Sequence, residues 1–155
     1  MGIRYYAYPL RPDDVAAARH DPYPFLSDDP FADAWGPADE RPRMLYLDKA
    51  WRELQFVFTV HDEKLAPRIS LELVKGNVTQ IGPYGAHLGF VHVLPPDVVK
   101  EVAADIILVE PADDAAIKKI VPHSSADYTN EFLNRAQEFM TDLARDGLGL
   151  VYTIR

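Results

Sequence analysis

The chemistry open to this chain begins with its histidines, His20, His61, His87, His92 and His123, because it has no cysteine at all. Thiolate nucleophiles, disulfides and cysteine-ligated metal sites are therefore excluded. A histidine-carboxylate metal site needs ligands that converge on one point. His87 and His92 are separated by an odd number of positions in a segment that reads as one strand, which sends them to opposite faces. His61-Asp62-Glu63 are neighbours in sequence and do not converge without further structure, and HExxH is absent. His123 precedes Ser124-Ser125, but adjacency does not make a nucleophile and its base, and the GxSxG elbow is missing. Those serines read as caps for the helix that follows. Gly82-Pro83-Tyr84-Gly85 lacks the lysine of a phosphate loop and reads as a turn. No metal and no cofactor is expected, and no residue stands out as catalytic.

Binding chemistry is better represented. Tyr5, Tyr6, Tyr8, Tyr84 and Tyr152, with Tyr23, Phe25 and Trp35, supply more amphipathic rings than a core of this size requires. Such rings favour pocket rims and interfaces, although sheet packing with hydroxyls at the edge also accounts for them. The candidates for contact with a ligand or partner are Tyr6, Tyr23, Trp35, Asp48, Tyr84 and His87. For Asp48 the competing reading is a helix N-cap, and for Trp51 it is the core.

The elements that must position these residues are legible by periodicity. Residues 3–8, IRYYAY, read as a strand with Ile3, Tyr5 and Ala7 on one face and Arg4, Tyr6 and Tyr8 on the other, ended by Pro9. A helix follows from Pro12 to about His20. Residues 21–44 hold five prolines together with Tyr23, Phe25, Phe31 and Trp35, which predicts an irregular loop tacked to the core by its rings, with a helical turn near 31–35. Residues 48–59 predict a helix capped by Asp48, with Ala50, Trp51, Leu54 and Phe58 inward and Lys49, Arg52, Glu53 and Gln55 outward or flanking. A third helix is expected over 66–74, a strand over 87–94, and a helix from Pro95-Pro96 to about Ala104. Residues 106–109 fit helix or strand equally. A short helix lies between Asp113 and Pro122. The strongest amphipathic pattern, Phe132, Ala136, Phe139, Met140 and Leu143, ends at Gly147, and a last strand follows with Leu150, Tyr152 and Ile154 on one face. The first and last strands, both rich in tyrosine, are expected to be neighbours. The class is α+β: a small mixed or antiparallel sheet of three to four strands packed by five to six helices, in a single domain over 1–155.

Sixteen basic against twenty-four acidic residues give a formal charge of −8, and no basic cluster exceeds Lys118-Lys119. Nucleic acids and anionic membranes are therefore poor partners. No apolar run reaches the length of a bilayer span, and the opening MGIRYYAYPL lacks the apolar stretch of a signal peptide. A cytoplasmic location is expected, as monomer or homodimer.

The segment LYLDKAWRELQFVFT resembles the signature of the YfbM-like bacterial family, whose activity is not established. The matching positions are Leu45, Leu47, Asp48, Lys49, Trp51, Leu54, Phe56 and Thr59. The glycine-containing stretch before Pro95 with the Val98–Ala103 helix, and the helix from Tyr128 to Arg145 with Gly147 after it, are also similar. The resemblance implies a fold and no reaction. This chain departs from it at Tyr46, Gln55 and Val60, where the family carries aspartate, histidine and glycine.

The reading that follows is a non-enzymatic binding domain, its site formed where the loop 21–44 meets the sheet and the 48–59 helix. The acidic charge favours a basic protein or a small cationic ligand, one version being a domain that neutralises a basic toxin-like protein. The alternative is a small hydrolase or transferase using a histidine and a carboxylate in that cleft.

Overall fold

The computed structural model describes residues 2–59 and 66–155. His61, Asp62, Glu63 and Val60 lie outside them. The main sheet has four antiparallel strands in the order β2-β1-β6-β5: β1 is Tyr5–Leu10, β2 Leu45–Asp48, β5 Phe90–Leu94 and β6 Gly149–Ile154. A separate two-stranded ribbon pairs β3, Thr79–Gln80, with β4, His87–Leu88. The α+β class and the pairing of first with last strand are as expected, with Tyr5 opposite Ile154 and Ala7 opposite Tyr152.

Alternation along β1 and β6 assigns the two faces. Tyr5, Ala7, Leu150, Tyr152 and Ile154 point into the larger core, under α3 (Trp51–Phe58), α4 (Pro96–Ile106) and α6 (Ala126–Asp146). Trp51, Leu54, Phe58, Phe132, Met140 and Leu143 meet them there, so both amphipathic stripes face the sheet. Tyr6, Tyr8 and Val151 point the other way, against Phe25, Leu26, Ala34 and Met44 of the 21–44 segment. That segment is a 3-10 turn at Tyr23–Phe25 and a helix, α2, at Pro30–Trp35, capped by Asp29 accepting from the Ala32 amide. The first helix, α1, is Val15–His20 after a 3-10 turn. Helix α5 is Asp114–Ile120, capped by Asp113, and α6 is capped by Ser125 and closed by Gly147 at φ 70°.

Five expectations need correction. Pro9 lies inside β1 and does not end it, because β2 pairs only as far as Ala7 and leaves Pro9 with β6 alone as neighbour. Residues 45–48 form an unforeseen strand, and α3 starts at Trp51 with Ala50 at its N-cap, so Asp48 caps nothing. Glu53 is buried and not outward, since α3 packs on both α6 and the 69–73 segment and buries more than its stripe. The helix at 66–74 is a 3-10 turn, Ile69–Leu73, in which the Ser70 amide and hydroxyl both donate to Asp105. The single strand over 87–94 divides at Gly89 between ribbon and sheet, so His87 and His92 occupy different sheets. Residues 106–109 resolve as the end of α4 and a turn.

Candidate functional site

A polar network at the open edge of β2 is where the candidate residues meet. The register between β1 and β2 slips between Tyr5 and Tyr6, which pair with Asp48 and Tyr46, so Leu47 is an extra residue. Such a bulge re-aims the side chains beside it. Asp48 adopts φ 48°, and no other non-glycine among the described residues has a positive φ. Aspartate tolerates this left-handed conformation better than most residues.

There the Asp48 carboxylate reaches both layers of the protein. Its Oδ1 accepts from Arg4 Nε at 3.0 Å and from the Tyr46 hydroxyl at 2.9 Å. Its Oδ2 accepts from the Tyr128 hydroxyl of α6 at 2.8 Å. Tyr46 in turn accepts from Trp35 Nε1 at 3.2 Å, and its ring meets Trp35 edge-on at 6.1 Å and Tyr6 at 5.4 Å. Arg4 also donates to the Gly2 carbonyl, and its guanidinium lies over Phe31 at 5.4 Å. Burial, assisted by Asp48, pushes the Tyr46 hydroxyl up to about 12, and it raises the Tyr128 hydroxyl as well. Both therefore stay protonated donors at neutral pH.

Next to this network is a cavity of about 290 Å³ lined by Arg4, Tyr6, Asp28, Phe31, His87 and Arg155, among others. The structure thus brings Tyr6, Trp35 and Asp48 together through Tyr46, and sets His87 with Tyr6 on the cavity. Tyr23 and Tyr84 are not joined to them: Tyr23 is exposed on its 3-10 turn, and Tyr84 is 96% exposed at the tip of the ribbon. Arg4, Tyr46 and Tyr128 went unrecognised in the sequence, and Phe31 is legible there only as one of the rings that tack the 21–44 segment to the core. Only the tyrosine content of β1 and its surroundings hinted at them, since a bulge leaves no periodic signal.

The expected cleft between the loop and α3 does not form. The loop packs on the Tyr6 face of the sheet and α3 on the Tyr5 face. Trp51 is core, with its indole N–H donating to the Ile3 carbonyl. Gln55 donates to the carbonyls of Val74 and Gly76 at 2.6 and 2.7 Å, tying α3 to the chain beyond the 3-10 turn.

A histidine-carboxylate pair lies elsewhere. His92 of β5 holds its Nε2 at 3.2 Å from Glu72 Oε2, which also receives Lys75 Nζ at 2.6 Å. Burial lowers the His92 pKa more than Glu72 raises it, so near neutral pH a neutral imidazole donates Nε2–H to the carboxylate. His92 also lines a small cavity of about 250 Å³ with Arg19 and Val93. Among the described residues no three histidines, aspartates or glutamates group as metal ligands, and no helix is long and apolar enough to cross a membrane.

Fold and site together define an α+β domain with an aromatic, hydrogen-bonded edge. Compared with models of protein families, with curated proteins and with solved structures, the chain finds no match.

Proposed function

We propose that this chain is a non-enzymatic cytoplasmic binding domain, monomeric or homodimeric, that uses its α2 side to hold a basic polypeptide. The observation that carries the reading is Trp35. It is 61% exposed, yet its indole N–H is fixed on Tyr46, which is itself fixed on Asp48. An exposed aromatic held in one orientation loses little entropy on binding, and tryptophan dominates many interfaces. Phe31, also exposed, lies 6.0 Å from it. Between residues 28 and 43 the acids are Asp28, Asp29, Asp33, Asp39 and Glu40, and the bases are Arg41 and Arg43. Both arginines are engaged, with the Gly36 carbonyl and with Asp146. Arginine or lysine of a partner would stack on the indole and meet this acidic surround.

Kinship with the YfbM-like family belongs to the same proposal. It is supported by the signature residues, of which Asp48 is the centre of the network and Trp51, Leu54 and Leu47 are core.

Titration with an arginine-rich decapeptide, followed by tryptophan fluorescence, tests the function. A saturable, salt-sensitive change is expected from Trp35, while a Trp35→Phe variant, which keeps only buried Trp51, should show none. An unchanged wild-type signal at low salt would sink the proposal.

The pair of His92 and Glu72 favours a second reading, a small hydrolase or transferase with His92 as general base. It would lie at the β5 edge and not beside α3. Ester, phosphomonoester and glycoside substrates turned over no faster than in buffer would remove it.

A further inference from the structure

We infer that the cavity beside Phe31 is a binding site for a small zwitterion of the α-amino acid type, held by Tyr6, Arg155 and Asp28. Tyr6 is 4% exposed, and among the described residues its hydroxyl has no hydrogen-bond partner. The unpartnered hydroxyls sealed from solvent are those of Tyr5 and Ser124. That of Tyr6 belongs to a residue lining the cavity. It is not among the sealed ones, and it stands as a free donor that an acceptor on a ligand in the cavity would engage.

The charges decide the class of ligand. The cavity is lined by two arginines, Arg4 and Arg155, and two aspartates, Asp28 and Asp29. A simple anion would meet both carboxylates, and a simple cation both guanidiniums; a molecule with both signs matches the set. Arg4 is held by Asp48 and Gly2, and Asp29 caps α2, so these two shape the wall. Asp28 has no hydrogen bond or ion pair among the described residues, and the Arg155 guanidinium makes one long contact, 3.4 Å, to the Ser27 carbonyl. A carboxylate would take Arg155 and the Tyr6 hydroxyl, a pairing suited to guanidinium geometry. The ammonium group would take Asp28. Charged lining near Tyr6 agrees with this, for both Arg4 and Arg155 act on its hydroxyl to oppose the rise in pKa that burial causes. The site borders the Trp35 surface and shares Phe31 and Asp28 with it, but its contacts to the ligand do not involve the indole or a polypeptide partner.

The experiment is a ¹H–¹⁵N correlation titration of the whole chain with glycine and L-alanine, with acetate and methylammonium as single-charge controls. Saturable shifts are expected at Tyr6, Phe31 and Arg155, with each control binding about tenfold more weakly. Tyr6→Phe should weaken glycine about fivefold, the effect of one hydrogen bond. Asp28→Asn, an exposed substitution that leaves the fold intact, should erase the preference for glycine over acetate. Trp35→Ala should leave glycine binding unchanged. Shifts that do not saturate, acetate that matches glycine, or an Asp28→Asn variant that keeps the preference would each overturn the inference. Glycine binding by the wild-type chain and by Trp35→Ala is read without the decapeptide, and the decapeptide titration is read without glycine, so the two proposals fail separately.

Discussion

The hydroxyl of Tyr128 lies 2.8 Å from Oδ2 of Asp48, eighty positions away in the chain. Through this bond α6, on the Tyr5 face, is tied to a carboxylate that also holds Arg4 and Tyr46. One side chain at a bulged sheet edge thereby joins the helical layer to the layer that presents Trp35.

Removing that carboxylate should weaken the whole edge. Asp48→Ala strands three donors and should cost about 3 kcal/mol, whereas Tyr128→Phe leaves the carboxylate two partners and should cost about 1 kcal/mol. The two losses should not add, because they share one bond. Urea unfolding of both single variants and the double variant measures this. Additive losses would show that the Tyr128–Asp48 bond contributes nothing.

Acid should act in two stages. Burial holds His92 below its ordinary 6.5, so the unfolded chain takes up that proton first. Stability is then full above about pH 6.5 and falls as pH drops toward the folded value. Burial alone would raise Glu72 and Asp105, but Lys75 and His92 outweigh it for Glu72, and Ser70 and Arg68 for Asp105, so both lie below their ordinary 4.5 and 3.8. Their contributions are present above those values and are lost as pH falls through the folded ones. Thermal melts from pH 8 to pH 3 should show both declines. His92→Gln should flatten the upper one and leave the lower, set also by Asp105.

Two glycines with left-handed backbone should respond differently to alanine. Gly147 has φ 70° and nothing near its missing Cβ, so Gly147→Ala should cost about 1 kcal/mol of backbone strain. Gly76 has φ 100°, and a Cβ there would come within 2.5 Å of the Phe90 ring, so Gly76→Ala should cost about 3 kcal/mol. Denaturant midpoints that rank the two in reverse order would contradict the packing of Phe90 over the turn.

How much of this was readable in advance varied with the range of the interaction. The stripe of Phe132, Met140 and Leu143 and the caps at Ser125 and Gly147 are local signals, and α6 follows them. The 66–74 segment failed because its amide and hydroxyl at Ser70 are claimed by Asp105, a residue on another helix. Asp48 failed for a similar reason. An aspartate before a helix carries the same local sign as a cap, and only the bulge shows that its oxygens turn toward Arg4, Tyr46 and Tyr128.

The sequence by itself determined the class, the helical stripes, the alternation of β1 and β6, and the aromatic character of the 21–44 segment, since each depends on spacings of a few residues. Which face that segment covers, where the bulge falls, and which hydroxyls reach Asp48 were decided only in three dimensions. Those features depend on pairing between distant strands, and a shift of one residue in that pairing exchanges every side chain between the two faces.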